Sequence, residues 1–398
     1  MTALRNIHNT NNAERVTPMK TFASVGLGLL LSSSLMAAHA DEVKIGMITT
    51  LSGGGSHLGV DVRDGFRLAI EQAGRDDIEL LVQDDANRPD LARSLSNEFM
   101  QRDNVDILTG LIWSNLAMAV VPAAVRQGTF YISPNAGPSD LAGRMCHENY
   151  FNVAYQNDNL HGAMGAYMRE QGYERPILLA PNYPAGTDAL AGFKHLYEGE
   201  VVDEIYTQMG QTDYAAEITQ IRASNADSLF FFLPGGMGIS FMNQWDNSGV
   251  DLPVFGAAFS FDETIIKAVG SAAIGAMNTS LWAYDLDNEA NHRFVSGFQE
   301  AYDRMPTLYA AQGYDTALLI FSALDKAHPS DQDAFREALR EADFDSVRGK
   351  FRFGPNHHPI QDIHVREVVE GDDGQPTNRL VGLAVEDIQD VYAVDCQM

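Results

Sequence analysis

Basic residues are in short supply in this sequence. Only 27 Lys and Arg stand against 54 Asp and Glu, for a formal net charge of −27. Nucleic acid is held through Lys/Arg-rich footprints, and anionic membrane surfaces likewise attract positive charge, so neither is an expected partner. The negative charge favours solubility and says nothing direct about a small ligand. Cysteine is nearly absent, with Cys146 and Cys396 the two in the chain. Neither has partners nearby at metal-site spacing. One disulfide in an oxidising compartment is the simple expectation, and two buried thiols are the alternative. Enzyme signatures are missing too: there is no G-x-S-x-G elbow, no Walker loop and no H-E-x-x-H helix. His357, His358 and His364 lie in the tail with no acidic cage and read as surface histidines rather than metal ligands. No catalytic residue, metal or cofactor is expected.

A hydrophobic run long enough to span a bilayer is also lacking. The N-terminal apolar run, Phe22 to Leu31, is too short and too serine-rich for a comfortable span. Met19-Lys20 precede it and Ala38-His39-Ala40 follow it, which is the basic, apolar and small-residue order of a secretory signal. Cleavage is expected after Ala40, with Thr2–Pro18 as an extension upstream of a start at Met19. No Cys stands at the cleavage point, so the mature chain is expected to be exported and soluble.

What the sequence does have is a globular composition, 45% apolar and 20% charged, normal for packed domains. At 398 residues the chain fits two domains of ordinary size. From Asp41, strand-like runs at 43–49, 78–84, 106–110 and 130–133 alternate with amphipathic segments at 62–72, 89–102 and 115–127. This β-α-β pattern predicts a parallel sheet covered on both faces. The pattern restarts, with strands near 176–181, 201–207, 228–233 and 253–257 and helices at 158–171, 185–197, 214–223 and 237–248. Beyond 276–280 come long helices at 289–305, 308–327 and 331–341, then a strand-like tail with turns at Gly354-Pro355 and Gly371–Gly374.

Several segments carry a resemblance when taken in order. They are Ile45-Gly46-Met47-Ile48-Thr49-Thr50-Leu51-Ser52-Gly53 with Gly59, Gly65, Leu68 and Ala69; Asp84-Asp85 with Pro89; Ile132-Ser133-Pro134-Asn135-Ala136; and Tyr314-Asp315-Thr316-Ala317. The chain resembles the type I periplasmic binding proteins of the leucine/isoleucine/valine-binding class. The resemblance implies an α/β fold of two Rossmann-like lobes with mainly parallel sheets, joined by a three-crossover hinge. The crossings would fall near 155–158, 281–284 and 347–349. Lobe one would comprise 41–156 and 283–346, and lobe two 157–282 and 347–398. It implies a monomeric periplasmic substrate-binding component that hands a small carboxylated ligand to the membrane permease of an ABC transporter.

Ligands of parallel α/β sheets bind beyond the carboxyl ends of the strands. The glycine-rich segment Ser52–Gly59 can bring backbone close to a ligand or be a plain surface loop. Ser114 and Asn115, after Trp113, stand where a helix begins and can cap it, bind a carboxylate, or do both. By the resemblance, Ser114, Asn115 and the backbone of Ala136, in the Asn135-Ala136-Gly137 turn, hold the ligand's carboxylate, although Gly137 replaces the expected hydroxyl residue. Trp113, Asn135, Tyr155 at a crossing, Tyr183, Gly235 in the Pro234-Gly235-Gly236 turn, and Phe259 complete the expected ligand-binding set, with Trp282 as a further aromatic wall. Amino-acid-binding relatives place a carboxylate in the loop that here reads Gly256-Ala257-Ala258-Phe259-Ser260, with no acid before Asp262. A buried ammonium without a counter-charge is costly. The expected ligand is therefore an aromatic acid without a free amine. Branched-chain amino acid binding, or service as a ligand-binding accessory to a sensory receptor, are the alternatives.

Overall fold

The computed structural model describes residues 42–398; the expected signal sequence lies outside the described residues. Five strands, β1 (Val43–Thr49), β2 (Ile78–Asp84), β3 (Ile107–Thr109), β4 (Phe130–Ser133) and β5 (Tyr150–Asn152), form a wholly parallel sheet in the order β2-β1-β3-β4-β5. Strand β1 is almost entirely buried, as expected when helices cover both faces of a parallel sheet. The connecting helices are α1 (Ser56–Ala73), α2 (Pro89–Glu98), α3 (Ser114–Arg126) and the short α4 (Ser139–Ala142).

The second sheet starts with parallel strands β6 (Pro176–Pro181), β7 (Glu204–Thr207), β8 (Ser228–Phe231), β9 (Val254–Ala257) and β10 (Met277–Ser280). Its helices are α5 (Asn157–Glu170), α6 (Pro184–Tyr197), α7 (Ala215–Ala223), α8 (Gly236–Ser248) and α9 (Glu263–Val269). Three antiparallel strands from the tail extend it: β11 (Arg352–Phe353), β12 (Pro359–Glu370) and β13 (Pro376–Ile388). The order is β11-β12-β10-β9-β8-β6-β7, with β13 on β12. Helices α10 (Glu289–Tyr302), α11 (Leu308–Leu324) and α12 (Gln332–Glu341) return to the first sheet. The backbones of α1 and α11 touch: a side chain at Gly65 would stand 2.0 Å from the Ala310 carbonyl oxygen, and one at Gly313 2.1 Å from that of Val62.

The chain paths between the sheets are tied by a buried cation. Arg348 donates to the Asp315 carboxylate on α11 at 2.8 Å, to the carbonyls of Val153 and Ala154, and to Gln361 on β12. Cys146 and Cys396 are bonded to each other, joining residues 250 apart in sequence. Among the described residues no helix is long and apolar enough to cross a membrane.

Three local expectations need correction. Helix α1 starts at Ser56, not Val62, because Gly53–Gly55 form only a short turn and Leu58 already belongs to the buried stripe that continues through Val62, Phe66 and Ala69. Strand β5 and helices α4 and α9 are too short to leave a periodic signal. His357 and His358 are not surface residues. Both are buried, His357 stacked on Phe151 at 4.0 Å and His358 against Tyr150, and burial lowers the pKa of each.

Candidate ligand-binding site

The carboxyl ends of the two sheets' strands meet across a cavity with a free volume of about 20 Å³, well below the size of a ligand pocket, so its own side chains nearly fill it. One wall follows β3 and β4 and contains Ile112, Trp113, Ser114 and Asn135. The facing wall follows β6, β8 and β9 and contains Tyr183, Phe232, Pro234 and Phe259. Leu58 and Tyr309 close one side, from α1 and α11. Tyr155, Asn157 and His161, on the path from β5 into α5, line another.

The first wall is fixed by hydrogen bonds in depth. The Trp113 indole N–H donates to Thr50 Oγ1 at 2.9 Å, and the Thr50 hydroxyl donates to the buried Asp85 at 2.7 Å. The Tyr155 hydroxyl donates to Asn135 Oδ1 at 3.0 Å, while Asn135 Nδ2 donates to the Ile112 carbonyl at 2.7 Å. Ser114 is the first residue of α3, whose N-terminus carries no side-chain cap. The first N–H groups of an uncapped helix lack partners and favour negative charge. Asn157 Nδ2 donates to Ser114 Oγ at 3.1 Å, which leaves the Ser114 hydroxyl proton available to an acceptor in the cavity. The same amide nitrogen donates to Asp188 on α6, and Asp188 also accepts from the backbone and hydroxyl of Ser139. These bonds join the helices of one sheet to those of the other.

The second wall is aromatic. Phe259 packs against Tyr155 at 4.9 Å between ring centroids, Tyr183 against Phe232 at 6.3 Å, and Trp113 reaches Tyr183 across the cavity at 6.4 Å. Burial raises the pKa of the Tyr155, Tyr183 and Tyr309 hydroxyls, so all three stay protonated. His161 is 1% exposed and its Nδ1 has no hydrogen-bond partner. Burial pushes its pKa down to about 3, so the imidazole is neutral at ordinary pH. The lining contains no Asp, Glu, Lys or Arg, and among the described residues no cluster of three or more His, Cys, Asp or Glu could hold a metal ion.

The structure thus brings Trp113, Ser114, Asn135, Tyr155, Tyr183 and Phe259 around one cavity. It leaves three other expected residues outside the lining. Asn115 follows Ser114 into α3, off the lining. Ala136 has no backbone donor to spare: its N–H points at the Leu111 carbonyl, and its own carbonyl accepts from Ser133, Tyr150 and Asn152. Gly235 adopts a φ of 65° and lies against Gly54 at the rim, where the Gly236 N–H donates to the Gly54 carbonyl at 3.0 Å. Trp282 is not a wall either. It is fully buried, with its indole N–H on Asn291 and its ring against Phe294. Asp262 caps α9 and faces His57 at 3.5 Å, also outside the lining. The cavity adds Asn157, His161, Phe232 and Tyr309 to the expected set. The i, i+4 spacing of Asn157 and His161 puts both on one helix face, and that was the available signal.

Comparison with known proteins bears on the family and the fold. Residues 42–375 match the family model described as periplasmic binding protein. A Leu/Ile/Val-binding protein homolog 6 from Brucella melitensis is 26% identical over 378 residues, covering 91% of this chain and 96% of the relative. The solute-binding protein of an ABC transporter from R. palustris, solved in complex with benzoate, has a TM-score of 0.84 at 28% identity, covering 89% of this chain and 99% of that one. Another, from Rhodopseudomonas palustris BisB5 in complex with 3,4-dihydroxybenzoic acid, has a TM-score of 0.80 at 25% identity, covering 88% and 99%. The relatives are solute binders rather than enzymes, and the family's location is the periplasm. With a match across most of its length and a cleft between two mainly parallel sheets, the chain belongs to the periplasmic binding protein family, type I, the solute-binding proteins of ABC transporters.

Proposed function

We propose that the chain, after export and cleavage at Ala40, captures an aromatic carboxylate lacking a free amine and presents it to the permease of an ABC transporter. The lobes are 41–156 with 283–346 and 157–282 with 347–398, and they close over the ligand by a change at the crossings. Ser114 and the open N-terminus of α3 receive the carboxylate, and the aromatic wall covers the ring. The observation that carries this reading is the charge-free lining. A carboxylate can be held there by the Ser114 hydroxyl and the helix N-terminus. An α-ammonium would find no counter-charge, and burying one unpaired is costly. The benzoate and dihydroxybenzoate complexes of the structural relatives support the same ligand class. The Leu/Ile/Val naming of the Brucella relatives favours branched-chain amino acids as the second reading, and the missing counter-charge weighs against it. Isothermal titration of the mature protein with benzoate and with leucine decides between them. Benzoate binding without leucine binding is expected, and the reverse would refute the proposal.

A further inference from the structure

His161 is a polar group of the cavity whose chemistry a plain benzoate leaves unused. Three observations converge on it. It lies on α5 four residues beyond Asn157, whose side chain holds Ser114. At the α-helical rise this is roughly 6 Å along the same helix face, about the span of one benzene ring with its substituents. The imidazole is clasped by the aromatic rings of Phe232, Phe259 and Phe230, at 4.8, 5.7 and 5.8 Å between centroids. None of these offers its ring nitrogens a conventional hydrogen bond, and Nδ1 is buried without a partner. A buried polar atom without a partner costs free energy that a ligand atom can recover.

We infer that His161 is the specificity-determining residue of the pocket, and that the ligand is a phenolic acid whose ring hydroxyl, opposite the carboxylate, hydrogen-bonds the imidazole. This rests on the aromatic-acid reading and sharpens it. A neutral imidazole carries one N–H and one lone pair, and a phenol can serve either. Ser114 fixes the acid end, His161 reads the far end, and the rings between them hold the flat body of the ligand. A pocket built to satisfy a hydroxyl rejects an isostere lacking it more strongly than an apolar pocket rejects an added group.

Titration calorimetry with 4-hydroxybenzoate, benzoate and 4-methylbenzoate tests the inference. The methyl compound fills the same volume without a hydrogen bond. The wild-type protein should bind 4-hydroxybenzoate about ten- to a hundredfold more tightly than 4-methylbenzoate. His161→Phe should abolish that ratio. His161→Gln, which keeps a donor and an acceptor, should retain part of the ratio and guards against a folding defect in the Phe variant. Equal binding of the three acids by the wild type, or an unchanged ratio in His161→Phe, would overturn the role of His161 and leave the aromatic-acid reading intact. Absence of binding to all three would overturn both.

Discussion

On the wall contributed by the first sheet, the polar side chains already have partners: Trp113 is held by Thr50 and Asp85, Tyr155 by Asn135, and Ser114 by Asn157. On the facing wall the aromatic rings of Phe232 and Phe259 have nothing to donate or accept, and the one imidazole beside them has an unpartnered nitrogen. The first wall is therefore preorganised for one chemical group, and an anchor of that kind loses little freedom when ligand arrives. The second can exchange one ring for another without disturbing a hydrogen-bond network. A binding family could keep the first wall and vary the second, which separates recognition of the carboxylate from choice of the body attached to it.

The anchor wall should fail most severely when its support is removed. Arg348 holds the carbonyls of Val153 and Ala154, the two residues before Tyr155, and its carboxylate partner Asp315 also accepts from Ser346 and the Val347 N–H. Both ions are buried. Asp315→Ala leaves the guanidinium unpaired in the interior and should cost about 3–5 kcal/mol of stability, read from urea unfolding. A loss below about 1 kcal/mol, the level of an exposed pair, would show that Arg348 is not the brace of this wall.

Next in size is Ser114→Ala, which removes a hydrogen bond to a charged group, worth about 1.5–3 kcal/mol. Affinity for every aromatic acid should fall by a similar factor, roughly tenfold to a hundredfold, with the ranking of acids unchanged. Phe232→Leu should do the opposite, altering the ranking more than the average. If the two variants gave the same pattern, the division of labour between the walls would be wrong. Tyr155→Phe is milder. It deletes one neutral hydrogen bond, worth about 0.5–1.5 kcal/mol, and should weaken binding through a less fixed Asn135.

The anchor wall was more legible in the sequence than the variable one, for a physical reason. Strands β1, β4 and β6 follow from buried apolar runs bounded by turn residues, and the end of β4 points to Asn135 as the end of β3 does to Trp113 and Ser114. Residues that act from inside a helix are harder to find. His161 sits among polar residues, Asn157, Asp158 and Asn159, that read as a solvated helix start, yet all four are buried because α6 and the second sheet cover them. Trp282 shows the converse error. An aromatic near a crossing reads as a pocket wall until Asn291 is seen to take its N–H. Ala136 was expected as a donor by resemblance, and only the accounting of its backbone partners reveals that nothing is left to give.

The smallest expected effect separates the pocket from its rim by pH. Inside, His161 stays neutral until about pH 3, so the cavity gains no charge in the neutral range. At the rim, His57 on α1 faces Asp262, the cap of α9, at 3.5 Å, so the contact joins helices of the two sheets. Burial opposes charge on His57, but the Asp262 carboxylate and then Asp61 outweigh it and hold the pKa above the ordinary value, with Arg304 acting against them. Asp61 is itself pushed up to about 6 by burial, against the pull of Arg304, so its help is complete only above that pH. On the proposed closure, a histidine pKa raised where His57 meets Asp262 means that protonation favours the closed state. The contribution is fully present below the pKa of the open form and is lost as pH rises through the higher closed-form value. Affinity for benzoate should therefore fall roughly two- to fivefold from pH 6.5 to pH 8.5, and His57→Asn should flatten the profile at its weaker end. A slope that survives in His57→Asn would place the titrating group elsewhere, and a slope that vanishes in His161→Phe instead would move it from the rim into the pocket.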